Sequence, residues 1–415
     1  MKYDLTNIKF MLIQLGNPHN NFQSIHIAGT NGKGSTASFI SSILMEHGLK
    51  VGLFTSPHIL KFNERIRVNS KCLSDKFIID FLKSNETVIK KIKPSFFEVN
   101  TAMAFEYFSR NKVDIAVVEC GLGGRLDSTN VLYSELSVIT QIGMDHMQYL
   151  GKTLRKIAFE KIGIVKPGVD VIVSDNHKSL KNIFNNGVQK ENLFYLDNEC
   201  KITILSSGIN GIKFKYEQKQ GNESVYSTPL PGIFQITNAA AAILTSTKYL
   251  LNNGIKPQYR KIQNGLSRIK ENSGLRCRLE TINHHGIEYI FDISHNTDGI
   301  KETVKTLKHD KPHITIFGIM EDKNVIGALK EVLKISNIII LTKPDYKRAA
   351  EPDYLYNTAK KYGTKKELYI SNNVPEAVKL ANKIDKKNKR VFITGSFFLV
   401  SDAIKALKLD KLFKC

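Results

Sequence analysis

Gly29-Thr30-Asn31-Gly32-Lys33-Gly34-Ser35-Thr36 follows the apolar run 24–28 and opens the helical pattern 35–47. Strand, glycine-rich loop, helix: that order decides the fold class. Glycines let consecutive backbone N–H groups turn toward one anion, and the helix N-terminus adds its positive end. The segment therefore reads as a phosphate loop, with Thr30, Asn31, Gly32, Lys33, Gly34 and Ser35 as candidate ATP-binding residues. Lys33 is placed to reach the β- and γ-phosphates, and Ser35 or Thr36 to face Mg²⁺. The spacing departs from the usual GxxxxGK[ST], because Gly34 separates the lysine from the hydroxyl residue. The bland alternative is a glycine-rich turn.

Outward from the loop, short apolar runs at 24–28, 51–55, 113–119 and 138–141 alternate with helical patterns at 35–47 and 101–108. This rhythm predicts an α/β protein with a mostly parallel sheet covered by helices. Gly48 stands where a helix C-cap is expected. From about 171 to 226 the pattern turns β-like, with short strands at 202–205 and 212–216, so a small β-rich portion is expected there. An alanine-rich helix, 237–251, then leads to a polar linker at 270–274. Runs at 287–293, 313–318, 335–341 and 391–395 resume the α/β rhythm. Two domains follow, 1–272 and 273–415, in keeping with a chain of 415 residues, too long for one core.

Composition narrows the function classes. No stretch approaches the roughly 18 uninterrupted apolar residues of a membrane span, and residues 1–16 lack a signal pattern, so a soluble cytoplasmic protein is expected. Cys72, Cys120, Cys200, Cys277 and Cys415 are scattered and without a CxxC pair, which predicts reduced thiols and no zinc site. The net charge of +21 suits a nucleic-acid binder or an enzyme of anionic small molecules. Its lysine runs, such as 90–93 and 383–390, lack the aromatic interleaving of a single-strand platform and read as solvated helix faces.

The loop has companions. Phe54-Thr55-Ser56-Pro57-His58, Phe97-Glu98, the run 119–130 from Glu119-Cys120-Gly121 to Ser128-Thr129-Asn130, Gly143-Met144-Asp145-His146 and Glu160-Lys161-Ile162-Gly163 follow in order. Leu230-Pro231-Gly232 with Gln235 and Asn238, and Asp292 with His295-Asn296, come later. This series resembles the folylpolyglutamate synthase and dihydrofolate synthase family of the Mur ligase superfamily, across most of the chain. The resemblance implies an N-terminal P-loop ATPase domain, a smaller C-terminal Rossmann-like domain and an active site in the cleft between them. It implies ATP as co-substrate, L-glutamate and a pteroate or folate as the other substrates, Mg²⁺ as cofactor and K⁺ as a candidate further ion.

Site residues follow with their alternatives. Glu119 ends an apolar strand, where a parallel sheet presents side chains to the ligand crevice, and a carboxylate there suits Mg²⁺. Similarity to the family assigns Ser56, Glu119 and His146 to magnesium; the alternatives are a strand-end ion pair for Glu119 and a hydrogen bond to aspartate for His146. The lysine equivalent to Lys161 is carbamylated in the resembling enzymes, which turns a cation into a carboxylate at the metal site. On sequence alone Lys161 is one surface charge among many. Lys33, Lys161 and His295 are the candidate catalytic residues. For the acceptor, Ser95, Phe96, Phe97 and Glu98 offer aromatic surface and a carboxylate, with Leu126, Asp127 and Ser128 on a second loop; paired phenylalanines are also common in cores. Similarity points to Asn238, Arg278 and Asp292 for the nucleotide. Here the chain departs from its family: Arg276-Cys277-Arg278 stands where Pro-Gly-Arg is usual, and Thr297 replaces a proline. His295 and Asn296 are assigned to the incoming amino acid or the acyl phosphate; Asp322-Lys323 reads as a phosphate contact or a surface turn.

The expected activity is ATP-dependent addition of L-glutamate to dihydropteroate, to folates, or to both, by a monomer without nucleic-acid or membrane partners. Three alternatives stand beside it. A cell-wall Mur ligase would carry a nucleotide-sugar domain for which the 28 residues before Gly29 leave no room. A basic P-loop nucleic-acid binder would show steeply salt-dependent binding. A non-catalytic relative fits poorly with Lys33, Ser56, Glu119, His146 and Lys161 all present.

Overall fold

The computed structural model describes residues 4–219, 223–362, 365–384 and 390–413. Cys415 and positions 385–389 of the last lysine run lie outside the described residues. Strands β1 (Gln23–Ala28), β2 (Val51–Phe54), β3 (Ile66–Val68), β4 (Lys71–Cys72), β5 (Ile115–Glu119), β6 (Leu136–Ile139), β7 (Asp170–Val173) and β8 (Leu193–Tyr195) form one sheet in the order β4-β3-β2-β5-β1-β6-β7-β8. From β2 to β8 every pairing is parallel; β3 and β4 add an antiparallel edge. β5 and β6 are buried along their whole length, as continuous Val/Ile runs covered on both faces should be.

β1 lies between β5 and β6, so the chain leaves it at the point where the strand order reverses. In open α/β sheets the ligand crevice lies at that point, beyond the carboxyl ends of the strands. The helix Lys33–Glu46 that follows is buried from Gly34 to Leu44. Its cover is close: a Cβ on Gly265 would lie 2.6 Å from Ile43 Cα, and Ser42 donates to the Gly265 carbonyl at 2.7 Å.

β9 (Cys200–Gly208), β10 (Gly211–Gln218) and β11 (Glu223–Thr228) make a separate antiparallel sheet. The β-rich portion expected over 171–226 is thus two things. β7 and β8 belong to the main sheet, because their buried apolar residues extend its core, and only the residues from Cys200 onward form the small sheet. The polar segment 270–274, expected as the linker, is mostly helical. Ile269–Ser273 is a short helix, with Asn272 buried and bonded to Ser42 and Glu46, and Gly274 (φ +67) ends it.

The second domain holds β12 (Glu280–His284), β13 (Ile287–Phe291), β14 (Ile314–Phe317), β15 (Ile338–Leu341), β16 (Glu367–Ile370) and β17 (Arg390–Thr394), ordered β12-β13-β17-β14-β15-β16. All pairs except β12 with β13 are parallel. Among the described residues, no helix is long and apolar enough to cross a membrane. Cys120, Cys200 and Cys277 are free and buried, as expected, but Cys72 is disulfide-bonded, which corrects the reading of reduced thiols throughout. Spacing alone does not reveal which cysteines a fold brings within bonding reach.

Candidate active site

The loop after β1 is held from below. Thr30 N donates to the Gln141 carbonyl at 2.7 Å, and Thr30 Oγ1 to that of Gly143 at 3.1 Å. No side chain fits at two of its glycines. A Cβ on Gly29 would lie 1.8 Å from Thr140 Oγ1, and one on Gly32 (φ +87) 2.4 Å from Asn238 Oδ1. Gly32→Ala should therefore cost about 1–3 kcal/mol of stability, from backbone strain together with the clash. It should also weaken ATP binding about tenfold, equivalent to about 1.4 kcal/mol. Denaturant melts and ATP titration check this; a variant of wild-type stability and affinity would show that the loop is not packed this way.

Lys33 Nζ donates to the Thr30 carbonyl at 3.2 Å and lies 3.9 Å from Glu119 Oε1. Of the two hydroxyls next in the chain, Thr36 donates to Asn238 Oδ1 at 3.4 Å, so Ser35 is the one left toward the loop. Asn238 is fixed in turn by Gln235 at 2.9 Å. A pocket of about 130 Å³ is lined by residues 30–35, Asn238, Arg278 and Asp292, which brings every predicted nucleotide residue together. Within it, the Asp292 carboxylate accepts from Leu279 N (3.1 Å), Ser294 N (3.0 Å) and Thr303 (3.2 Å), so it organises the wall.

Beside it lies a cavity of about 600 Å³ shared by both domains. Lys33, Ser56, Glu119, His146, Lys161 and His295 all line it. Glu119 is buried at the end of β5 and accepts from Ser56 N at 2.9 Å. Burial pushes its pKa up, against the pull of Lys33, the Ser56 N–H, Arg278 and Arg65. His146, in the left-handed region (φ +49), has its pKa lowered to about 4, chiefly by burial, so its imidazole is neutral at pH 7. Lys161 is only 3% exposed and donates to the Gly29 carbonyl at 2.6 Å. Burial, then Lys33, lowers its pKa to about 7. The surface-charge reading of Lys161 is therefore wrong: the helix Leu154–Ile162 turns it inward beneath the phosphate loop.

The seven residues expected to meet the acceptor all lie along this cavity. Phe97 stacks on Phe54 (5.6 Å between centroids) directly under Gly121, and Phe96 is 62% exposed with the Arg65 guanidinium 5.5 Å above it. Both rings line the cavity, as do Ser95, Glu98, Leu126, Asp127 and Ser128. The polar candidates among them are also bonded within the protein. Ser95 and Glu98 cap each other at the start of the helix Phe96–Arg110, at 2.6 and 3.3 Å. Asp127 accepts from Leu122 N (2.7 Å) and Thr129 N (3.0 Å), and Ser128 pairs with Thr101 at 2.7 Å. These bonds fix the shape of the two loops at the cavity wall.

Asp145 joins the two domains, a role that its sequence context does not reveal. Its carboxylate, on the loop after β6, meets three groups of the other domain: Lys323 at 2.5 Å, Asn296 at 3.3 Å and His295 at 3.6 Å. Burial raises its pKa, but His295, His146 and Lys323 outweigh that and hold it well below the usual carboxylate range. Lys323 is thus no surface turn; it is nearly buried across the domain cleft. Asn296 also donates to Asn31 Oδ1 at 3.0 Å, tying the phosphate loop to the second domain. Tyr346, Arg348 and Phe398 complete the far wall, with Tyr346 and Phe398 stacked at 3.9 Å. Among the described residues no three His, Cys, Asp or Glu side chains form a ready-made metal cluster.

The Mur ligase middle domain family matches residues 27–246, and the Mur ligase glutamate ligase domain matches 277–397. A dihydrofolate synthase/folylpolyglutamate synthase of Bacillus subtilis (strain 168) is 32% identical, with 98% of this chain and 96% of the relative covered. A folylpolyglutamate synthase of Lacticaseibacillus casei is 31% identical, over 96% and 93%. The crystal structure of folylpolyglutamate synthase from Thermotoga maritima superposes with a TM-score of 0.84 at 32% identity, covering 99% of this chain and 94% of that one. The Mycobacterium tuberculosis folylpolyglutamate synthase complexed with ADP and AMPPCP gives 0.84 at 26%, over 97% and 95%.

Proposed function

This chain belongs to the folylpolyglutamate synthase/dihydrofolate synthase family of ATP-dependent Mur ligases, and from that premise we propose that it adds L-glutamate both to dihydropteroate and to folates. The observation that carries the reading is the meeting, in one cleft, of the phosphate loop, Glu119 and Lys161 with an aromatic-walled cavity. A carboxylate cannot be displaced by an amine until one of its oxygens becomes a leaving group. Its attack on the γ-phosphate of ATP expels ADP and gives an acyl phosphate; the glutamate amine then displaces phosphate. Catalysis of this kind is positioning together with neutralisation of developing charge. Lys33, Arg278 and the N-terminus of the helix Lys33–Glu46 supply that neutralisation at the loop. Lys323 and His295 present cationic and hydrogen-bonding groups from the opposite wall, where the incoming amino acid would be held.

Magnesium fits the donor set: a buried carboxylate at Glu119, a neutral imidazole at His146 and Ser56 beside them, and Mg²⁺ bound there would offset phosphate charge. Lys161 fits the carbamate that the family resemblance implies. Burial lowers its pKa to about 7, which favours the neutral amine over the cation compared with an ordinary lysine, and the neutral form adds CO₂ with loss of a proton. The product places an anion where a buried cation is disfavoured. Cytoplasmic location and a monomeric state complete the proposal.

Assaying the purified protein with ATP and glutamate against dihydropteroate and tetrahydrofolate in parallel tests the acceptor. Glutamate-dependent ADP release with both is the expected outcome; tetrahydrofolate alone would restrict it to a folylpolyglutamate synthase, and neither would overturn the reading.

A further inference from the structure

The segment joining the domains, residues 275–279, carries Arg278 into the nucleotide pocket: a Cβ on Gly34 would lie 3.6 Å from its guanidinium. What aims it there is unusual. Cys277 and Leu279, on either side of Arg278, both have left-handed backbones (φ +55 and +52) and are both buried. Neither residue type favours that region, so surrounding contacts must hold it. Three backbone bonds do so: Cys277 N to Glu280 Oε2 (2.9 Å), Leu279 N to Asp292 Oδ2 (3.1 Å) and Ile293 N to the Cys277 carbonyl (3.2 Å).

Arg276 fixes the first of these. Its Nε donates to both oxygens of Glu280, at 2.9 and 3.0 Å, which orients the carboxylate that Cys277 N uses. Its guanidinium lies 4.0 Å over the Phe413 ring, and one terminal nitrogen donates to the Leu412 carbonyl. Phe413 belongs to the turn Asp410–Phe413 and is itself packed into the core of the second domain. One planar cation thus joins a carboxylate, a ring and a backbone carbonyl, which a lysine could not do.

We infer that Arg276 is a positioning residue for nucleotide binding: it fastens the interdomain segment to the C-terminal turn and so keeps Arg278 directed at the phosphate loop. The inference rests on the proposed ATP site but not on the acceptor. It makes the C-terminal turn a part of the nucleotide site that touches no nucleotide.

Calorimetric titration of the full chain with AMPPCP, a non-hydrolysable ATP analogue, tests it in four proteins: wild type, Arg276→Ala, Arg278→Ala and the double variant. Arg276→Ala should weaken binding about fivefold or more with little change in melting temperature, and in the Arg278→Ala background it should add less than about twofold, because the two act as one unit. Arg276→Lys should not rescue. If Arg276→Ala does not fold, Phe413→Leu, which removes the ring under the guanidinium, should show the same dependence on Arg278. Unchanged binding in a folded variant, or an equal loss with and without Arg278, would overturn the inference. No binding by the wild type would instead overturn the ATP site itself.

Discussion

Lys33→Ala should abolish measurable ligation, by about a thousandfold or more, while the protein melts within a few degrees of the wild type. The size follows from position. Phosphoryl transfer leaves the protein little to do except place charge, and removal of a single preorganised charge or donor at a transition state typically removes about 10²–10³ of rate. The lysine is held by the Thr30 carbonyl and lies near Glu119, so its ammonium is already in place before nucleotide arrives. Its side chain is 17% exposed, so truncation opens to the cleft and leaves no sealed hole in the core. A secondary effect has a fixed sign. Lys33 lowers the pKa values of both Glu119 and Lys161, so both should rise in the variant. Steady-state ADP release and thermal melts measure the outcome; substantial turnover by a folded variant would remove the loop from catalysis.

The second large effect is at Lys161. Lys161→Ala should lose about 10²–10³ of activity, and acetate or formate should restore part of it by supplying a carboxylate to the vacated space. Lys161→Arg should be as inactive and beyond rescue, because a guanidinium stays charged and does not add CO₂. In the wild type, carbamate formation needs the neutral amine, so its extent should grow as pH rises through about 7, where this amine titrates. Depleting CO₂ should slow the enzyme and bicarbonate should restore it. Full activity without CO₂, or an alanine variant as active as the wild type, would refute the carbamate.

Much of the fold was legible from the sequence because the main sheet announces itself. Val/Ile runs such as Ile115–Glu119 are buried on both faces, and strong helices separate them. The edges were not. Lys71–Cys72, Glu280–His284 and Glu367–Ile370 are short, partly exposed strands whose residues alternate weakly, and only pairing with a neighbour makes them strands. In the site, glycines betrayed the phosphate loop because their shape requirement is local. Lys161 and Lys323 were opaque for the opposite reason. Their burial depends on which way a distant helix or loop faces, and apart from the family motif around Lys161 nothing nearby distinguishes them from the other lysines of a basic chain. Asp145 was visible in its motif, yet its partners Lys323, Asn296 and His295 lie in the other domain, and no spacing along the chain reveals that. At the interdomain segment, Arg276-Cys277 stands where Pro-Gly is usual, so the backbone freedom of a glycine is missing there. The structure replaces that freedom with contacts, holding Cys277 in a left-handed turn through Glu280.

Isotope transfer reads the acyl phosphate, the intermediate on which the chemistry turns, directly. An acceptor labelled with ¹⁸O in its reacting carboxylate, ligated to glutamate with ATP, should deliver one ¹⁸O atom to each phosphate released. Phosphate that carries no label while ligation proceeds would contradict it.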